Sequence, residues 1–195
     1  MQVISPLHRM PVYQETSHPL GAIELWPLDL RADVPVIYDW VTRPYAAYWG
    51  MTDKSLAAVM LEYSNLLASD HAMAFMGTVA GTRAFLCEVY DPAFDPIGRH
   101  YPVSRGDVGM HLLIAPAEAP IHGFTWAVFR AVMTFLFQNP AHKRVIVEPD
   151  VRNEKIHRLN RRAGFVYQKE VQLPHKTAAL AFCTKRQFQT AKQKN

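Results

Sequence analysis

Four short stretches of this chain place polar or reactive side chains where packing alone does not require them. In residues 147–165, VEPDVRNEKIHRLNRRAGF, an apolar run stops at Glu148, Pro149 and Asp150, and Asn153 then opens a basic segment that closes on Ala163-Gly164-Phe165. Carboxylates and an amide where a strand hands over to a helix cap the helix or handle protons beside a ligand; the residue types allow both. In DVGMHLLI, residues 107–114, His111 interrupts an apolar run, as a satisfied core residue or as a proton-handling group. PIHGFT, residues 120–125, precedes a strongly apolar segment. Gly123 permits close approach of a ligand, the unpaired N–H groups of a helix start suit an anion such as a pyrophosphate, and His122 or Thr125 could donate further hydrogen bonds. Taken alone, that loop reads better as the start of an ordinary buried helix. Finally, RPYAAYWGM and CEVYD bring Tyr45, Tyr48 and Trp49, and Glu88, Tyr90 and Asp91, into segments that individually read as loop packing or surface charge.

The elements that must position these residues follow from periodicity. Alternation predicts a strand over 22–27, and apolar spacing near 3.6 predicts helices over 32–42 and 55–69. Strands over 72–79 and 83–90 form a hairpin across Ala80-Gly81. DPAFDPIGRHYPVSRGD is a long, Pro-rich connection of the kind that binds ligands. A strand follows over 107–114, with Met110, Leu112 and Ile114 on one face and Gly109, His111 and Leu113 on the other. Then come a helix over 124–138, a strand over 144–147, a helix over 153–163 ended by Gly164, and strands over 166–173 and 177–183. The strand–helix–strand passage from 107 to 147 implies one parallel pairing in an otherwise antiparallel sheet. Residues 1–21 read as an irregular arm, 22–188 as the domain and 189–195 as a basic tail.

Composition narrows the function classes. A chain of 195 residues that is 49% hydrophobic and 19% charged buries the core of one domain and is not disordered. The net charge of +4 is concentrated late, at Arg158, Arg161, Arg162, Lys185, Arg186, Lys192 and Lys194. Such a field draws nucleic acid or a small phosphate-bearing ligand; without interleaved aromatics or a recognition motif, nucleic acid is the weaker reading. Cys87 and Cys183 sit in apolar runs and read as free buried thiols. No segment suits a signal peptide or a membrane span, so a cytoplasmic location is expected, with no membrane or metal partner.

The order of elements, ending in Asn153-Glu154-Lys155-Ile156-His157-Arg158-Leu159 and Ala163-Gly164-Phe165, resembles the GNAT acyltransferases. GDVGMHLLI, EPDVRN, Tyr48-Trp49-Gly50 and Glu88-Val89-Tyr90-Asp91 are similar to the siderophore-biosynthesis branch, the acyltransferases of the aerobactin, alcaligin and mycobactin pathways. One departure is clear. The pyrophosphate loop of GNAT enzymes, Q/R-x-x-G-x-G/A, here keeps one glycine and lacks the leading Arg or Gln.

The resemblance implies an α/β fold of α+β type: a mixed, mostly antiparallel sheet with a splayed parallel strand pair and helices on both faces. It implies acyl-coenzyme A as co-substrate, bound by Leu113, Ile114, His122, Gly123, Phe124, Thr125, Asn153 and Arg158. His111 and Asp150 are then the catalytic pair, with Glu148 a lesser candidate. Tyr48, Trp49, Glu88, Tyr90 and Glu148 contact the acceptor, and Arg99 or Arg105 would meet a succinyl carboxylate. The implied reaction is acylation of an N-hydroxylated amine to a hydroxamate. The short chain points to an N-hydroxydiamine such as N-hydroxyputrescine or N-hydroxycadaverine, with N6-hydroxylysine close behind. Acetyl and succinyl donors stay open, as do monomer and homodimer. Two alternatives stand beside this reading: a GNAT acetyltransferase of an aminoglycoside or protein amine, and a coenzyme A-binding module without catalysis.

Overall fold

The structure, a computed structural model, describes residues 9–194; the first eight residues of the expected arm and Asn195 of the expected tail lie outside the described residues. Eight strands form one sheet in the order β1-β2-β3-β4-β5-β6-β8-β7. They are β1 (Tyr13–Glu15), β2 (Ile23–Pro27), β3 (Ala72–Val79), β4 (Thr82–Tyr90), β5 (Asp107–Ile114), β6 (Arg144–Val147), β7 (Val166–Leu173) and β8 (Lys176–Thr184). The helices are α1 (Leu30–Val41), α2 (Leu56–Ala68), α3 (Phe124–Gln138), α4 (Glu154–Arg162) and α5 (Lys185–Lys194). All pairings are antiparallel except β5–β6.

Local chemistry fixes the helix starts. Asp29 accepts from the N–H groups of Arg31 and Ala32 at the head of α1, and the Ser55 hydroxyl accepts from Ala58 N–H at the head of α2. Buried side chains of α3, with Phe165 and Phe188, form the core on one face of the sheet. The other face carries two separate apolar clusters. One packs α1 and α2 against Met76, Leu86 and Leu113; the second gathers Tyr90, Ile97, Tyr101 and Ile146 under the long 91–106 connection. Between these two clusters lies a polar region holding Glu88 and His111. Cys87 and Cys183 are free and buried, as expected.

The arm and the tail are more ordered than expected. Tyr13–Glu15 pairs with Ile23–Leu25 as an edge strand, and the last residues form α5, anchored by buried Phe188. The loops RPYAAYWGM and DPAFDPIGRH contain 3-10 turns, Pro44–Trp49, Pro92–Phe94 and Pro96–His100. Asp91 and Asp95 accept from the N–H groups of Ala93 and Ile97 in these turns, so both have local structural uses. Among the described residues no helix is long and apolar enough to cross a membrane, and no group of three or more His, Cys, Asp or Glu is placed to hold a metal ion.

Candidate active site

The parallel strands meet over three residue pairs only: Asp107 with Arg144, Val108 with Val145 and Gly109 with Ile146. The closed end is fastened by Arg144, which donates to both Asp107 carboxylate oxygens at 2.8 and 2.7 Å. Beyond Gly109 the strands part. β5 continues against β4 as far as Ile114, while the chain after β6 stays with β8, through Ala179 N–H to Pro149 O and Val151 N–H to Thr177 O. Ala115 N–H donates to Ala84 O, so the alternation of an antiparallel ladder turns the N–H and C=O groups of Leu112 and Ile114 away from β4, into the gap.

A groove of about 930 Å³ runs along this gap to the start of α3. Leu113 and Ile114 of β5, Gly123, Phe124 and Thr125 at the α3 start, and Asn153 and Arg158 of the α4 segment all line it. His122, also expected there, is exposed and does not line it. Gly123 has φ 77° and no atom lies within 4 Å of where a Cβ would stand, so the approach to the α3 start is open; no side chain caps that helix. Arg162, from the late basic cluster, also borders the groove, as do Arg43 and Lys155, which composition did not single out. These features suit an anionic, extended ligand.

A second cavity of about 370 Å³ opens from the groove, bordered jointly by Tyr45, Leu113, Asn153 and Ile156. Cross-strand register builds its polar wall. Glu88 lies directly opposite His111, and Tyr90 opposite Gly109. A Cβ at Gly109 would come within 2.1 Å of the Tyr90 ring, so only glycine lets that ring lie over β5 and bring its hydroxyl to Glu148. Glu148 follows Ile146 by two residues and therefore shares its face of the sheet, the face of His111. The result places His111 between two carboxylates: Nδ1 is 3.0 Å from Glu88 Oε2 and Nε2 is 2.6 Å from Glu148 Oε1. Tyr90 donates to Glu148 Oε2 at 2.7 Å, and Lys176 Nζ stands 3.7 Å from Glu148 Oε1.

Burial alone would favour a neutral His111 ring, but the charge and hydrogen bonds of Glu148, then Glu88, outweigh it and push the ring up to about 10. For Glu148 burial also favours the neutral form; the His111 cation, with Lys176 and the Tyr90 hydroxyl, reverses this and holds the carboxyl down to about 2. At neutral pH His111 and Glu148 therefore face each other as imidazolium and carboxylate.

His111 and Asp150, expected to share the proton handling, reach the same cavity but have different partners. Asp150 is held by Arg152: Nε and Nη2 donate to its two oxygens at 2.8 and 2.7 Å, and this keeps its carboxyl down at about 2. Tyr48 donates to the Arg152 carbonyl at 3.3 Å, so Tyr48, Arg152 and Asp150 form the cavity rim. Trp49 packs edge-on to His111 with ring centroids 6.1 Å apart. Tyr90, expected to touch the acceptor, is buried behind Glu148 and does not line the cavity; nor do Arg99 and Arg105. Asn153 caps α4 by accepting from Ile156 N–H at 3.4 Å, while His157 fastens α4 to the Asp150–Val151 carbonyls.

Residues 29–173 match the GNAT acetyltransferase domain family. The chain belongs to that family. It is 28% identical over 152 residues to an N(6)-hydroxylysine O-acetyltransferase of Escherichia coli, a match that covers 77% of this chain and 48% of the relative. It is 26% identical over 149 residues to the lysine N-acyltransferase MbtK of Mycobacterium tuberculosis, covering 76% and 71%. The chain thus spans about half the length of the first relative. Among solved structures, an uncharacterised protein of Bacillus halodurans superimposes with TM-score 0.86 at 27% identity, covering 92% of this chain and 93% of that one. An aminoglycoside acetyltransferase in complex with coenzyme A and kanamycin gives TM-score 0.76 at 22% identity, covering 87% and 99%, which is a likeness of fold.

Proposed function

We propose that this GNAT chain is an acyl-coenzyme A N-acyltransferase acting on an N-hydroxylated alkylamine, and that the hydroxamate it makes serves siderophore assembly. The observation that carries the reading is the junction of two features. A basic groove with a free strand edge ends, where β5 and β6 part, against the His111–Glu148 wall of a small cavity. One curated relative is named for N(6)-hydroxylysine and another for lysine, which supports an alkylamine acceptor.

The groove fits coenzyme A by its own chemistry: an uncapped α3 start and basic side chains for the pyrophosphate, and the Leu112 and Ile114 backbone for the amides of the pantetheine arm. A free N–H on that edge would also donate to the thioester oxygen, where negative charge develops during attack. Positive charge develops on the attacking nitrogen. There the wall helps, because two carboxylates around one imidazolium leave a net charge of −1. A hydroxylamine nitrogen is largely neutral at pH 7, so positioning supplies much of the rate and the demand on a base is small. The N–H proton released on C–N bond formation must reach the departing sulfur, and we assign Glu148 to carry it. The role expected of Asp150 thereby passes to Glu148, while Asp150 orders the rim.

Glu62, Glu88 and Trp49 suit the distal ammonium that hydroxydiamines and hydroxylysine share, and Lys176 suits the carboxylate that only hydroxylysine carries. The test is the product mass after incubation with acetyl- or succinyl-coenzyme A and, in turn, N-hydroxyputrescine, N-hydroxycadaverine, N6-hydroxylysine and kanamycin. A hydroxamate from one of the first three is the expected result. Acylated kanamycin alone would replace this reading with that of an ordinary amine acetyltransferase, and coenzyme A binding with no product from any acceptor would replace it with a binding module.

A further inference from the structure

Tyr63 belongs to α2 and does not line the cavity, yet it is fully buried with its hydroxyl aimed at the wall. It donates to Glu88 Oε1 at 2.9 Å and accepts from Trp49 Nε1 at 3.4 Å. Glu88 uses its other oxygen on His111 Nδ1. The opposite side of the ring repeats the pattern: Glu148 meets Nε2 through one oxygen and takes the Tyr90 hydroxyl on the other. Each carboxylate is thus divided between the imidazole and a buried phenol. Burial holds both phenols well above their ordinary value, so they remain donors.

This arrangement constrains the ring. A carboxylate accepts hydrogen bonds and donates none, so a carboxylate against each ring nitrogen requires a hydrogen on both. A histidine acting as general base needs one nitrogen with a free lone pair facing the acceptor. His111 has none. The groups around it agree: Glu88 and Tyr90 from β4, Glu148 after β6, Lys176 from β8, the Trp49 ring, and Asp95 from the long connection, which acts on it by charge alone. Lys176 is the cation opposing the three acids, and it lies nearest Glu148, not the ring.

We propose that Tyr63 and Glu88 are positioning residues that fix His111 as a doubly protonated, cationic donor, so that His111 is not the base of the transfer reaction. Its part in transfer rests on the proposed function; the state of the ring in the free protein does not. Glu88 sets the ring's orientation through Nδ1, Tyr63 sets the rotamer of Glu88, and Trp49 couples both to the cavity mouth.

The experiment is nitrogen-detected NMR of the imidazole rings in the free full chain, wild type against Tyr63→Phe and Glu88→Gln, followed by pH profiles of kcat/KM. In the wild type the His111 signals stay those of a doubly protonated ring from about pH 6 to 8, where an ordinary histidine titrates. Glu88→Gln removes a neighbouring charge and lowers the His111 midpoint by roughly 1–3 pH units. Tyr63→Phe moves it the same way by less and leaves coenzyme A affinity unchanged. A cation that is required must be lost as pH rises, so Glu88→Gln gains a limb of falling kcat/KM at the lowered His111 midpoint, with kcat affected more than the KM for acyl donor. A wild-type His111 that titrates near its ordinary value overturns the proposal. So does a Tyr63→Phe protein that melts earlier with an unmoved His111 titration. Should Tyr63→Phe fail to fold, Glu88→Gln reads the same arm at nearly unchanged size. If no acceptor is acylated, the functional reading falls while the ring signals still decide this one.

Discussion

Glu148 and Asp150 stand on either side of one proline and meet different partners. Glu148 is 4% exposed and closes on His111, Tyr90 and Lys176; Asp150 turns to Arg152, whose side chain is 73% exposed. Removing the charge of Glu148 therefore takes from the wall the group proposed to carry the proton and leaves a half-buried imidazolium short of one partner. Glu148→Gln is expected to lower kcat by about 10²–10⁴, the range of a positioned acid–base group. Asp150→Asn should cost much less than that, because Asp150, although as buried as Glu148, is bonded to Arg152 and not to the imidazole. Steady-state kinetics of the two variants with one donor and acceptor checks the order; equal losses would return Asp150 to the proton path. Spacing in the sequence brought both acids to the strand end, and the family resemblance put Asp150 ahead of Glu148. The reverse ranking depends on the β5–β6 register, Gly109 with Ile146, which fixes the face of residue 148 and which no periodicity reveals. Tyr63 was hidden for a similar reason: beside Val59 on a helix it reads as ordinary core, and only the fold turns its hydroxyl to Glu88.

At the scale of elements, the strands and helices that carry apolar periodicity stood at nearly their expected bounds, and the parallel β5–β6 pair followed from the connection between them. β1 and α5 escaped because neither has a period to read: β1 is three residues long, and KRQFQTAKQK has one apolar anchor, Phe188. The short β5–β6 ladder gives these elements a measurable signature. The amides of Leu112 and Ile114 face the gap and lack a strand partner there, so hydrogen exchange at these two should be fast in the free protein. Adding coenzyme A should slow them selectively, while Leu113, directed at β4, changes little. Equal protection across the strand would mean that the ligand does not pair with this edge.

For the whole molecule, the sheet is two pieces, β1–β5 and β6–β8–β7, joined by three residue pairs and the Asp107–Arg144 clasp. What spans them is the buried face of α3, which shares one core with Val108 and Met110 on one side and Val145 and Val147 on the other. Phe129→Ala, fully inside that core, should cost about 3–5 kcal/mol in denaturant unfolding. Calorimetry should also show weaker coenzyme A binding, although Phe129 does not line the groove. Unaltered affinity in a folded variant would show that α3 does not set the separation of the two pieces.

That spanning helix works as a splint across a hinge line. Repacking its inner face would widen or narrow the grip on a thioester while leaving intact every side chain that touches one, so drift in the interior of α3 offers relatives of this chain a route to donors of different bulk.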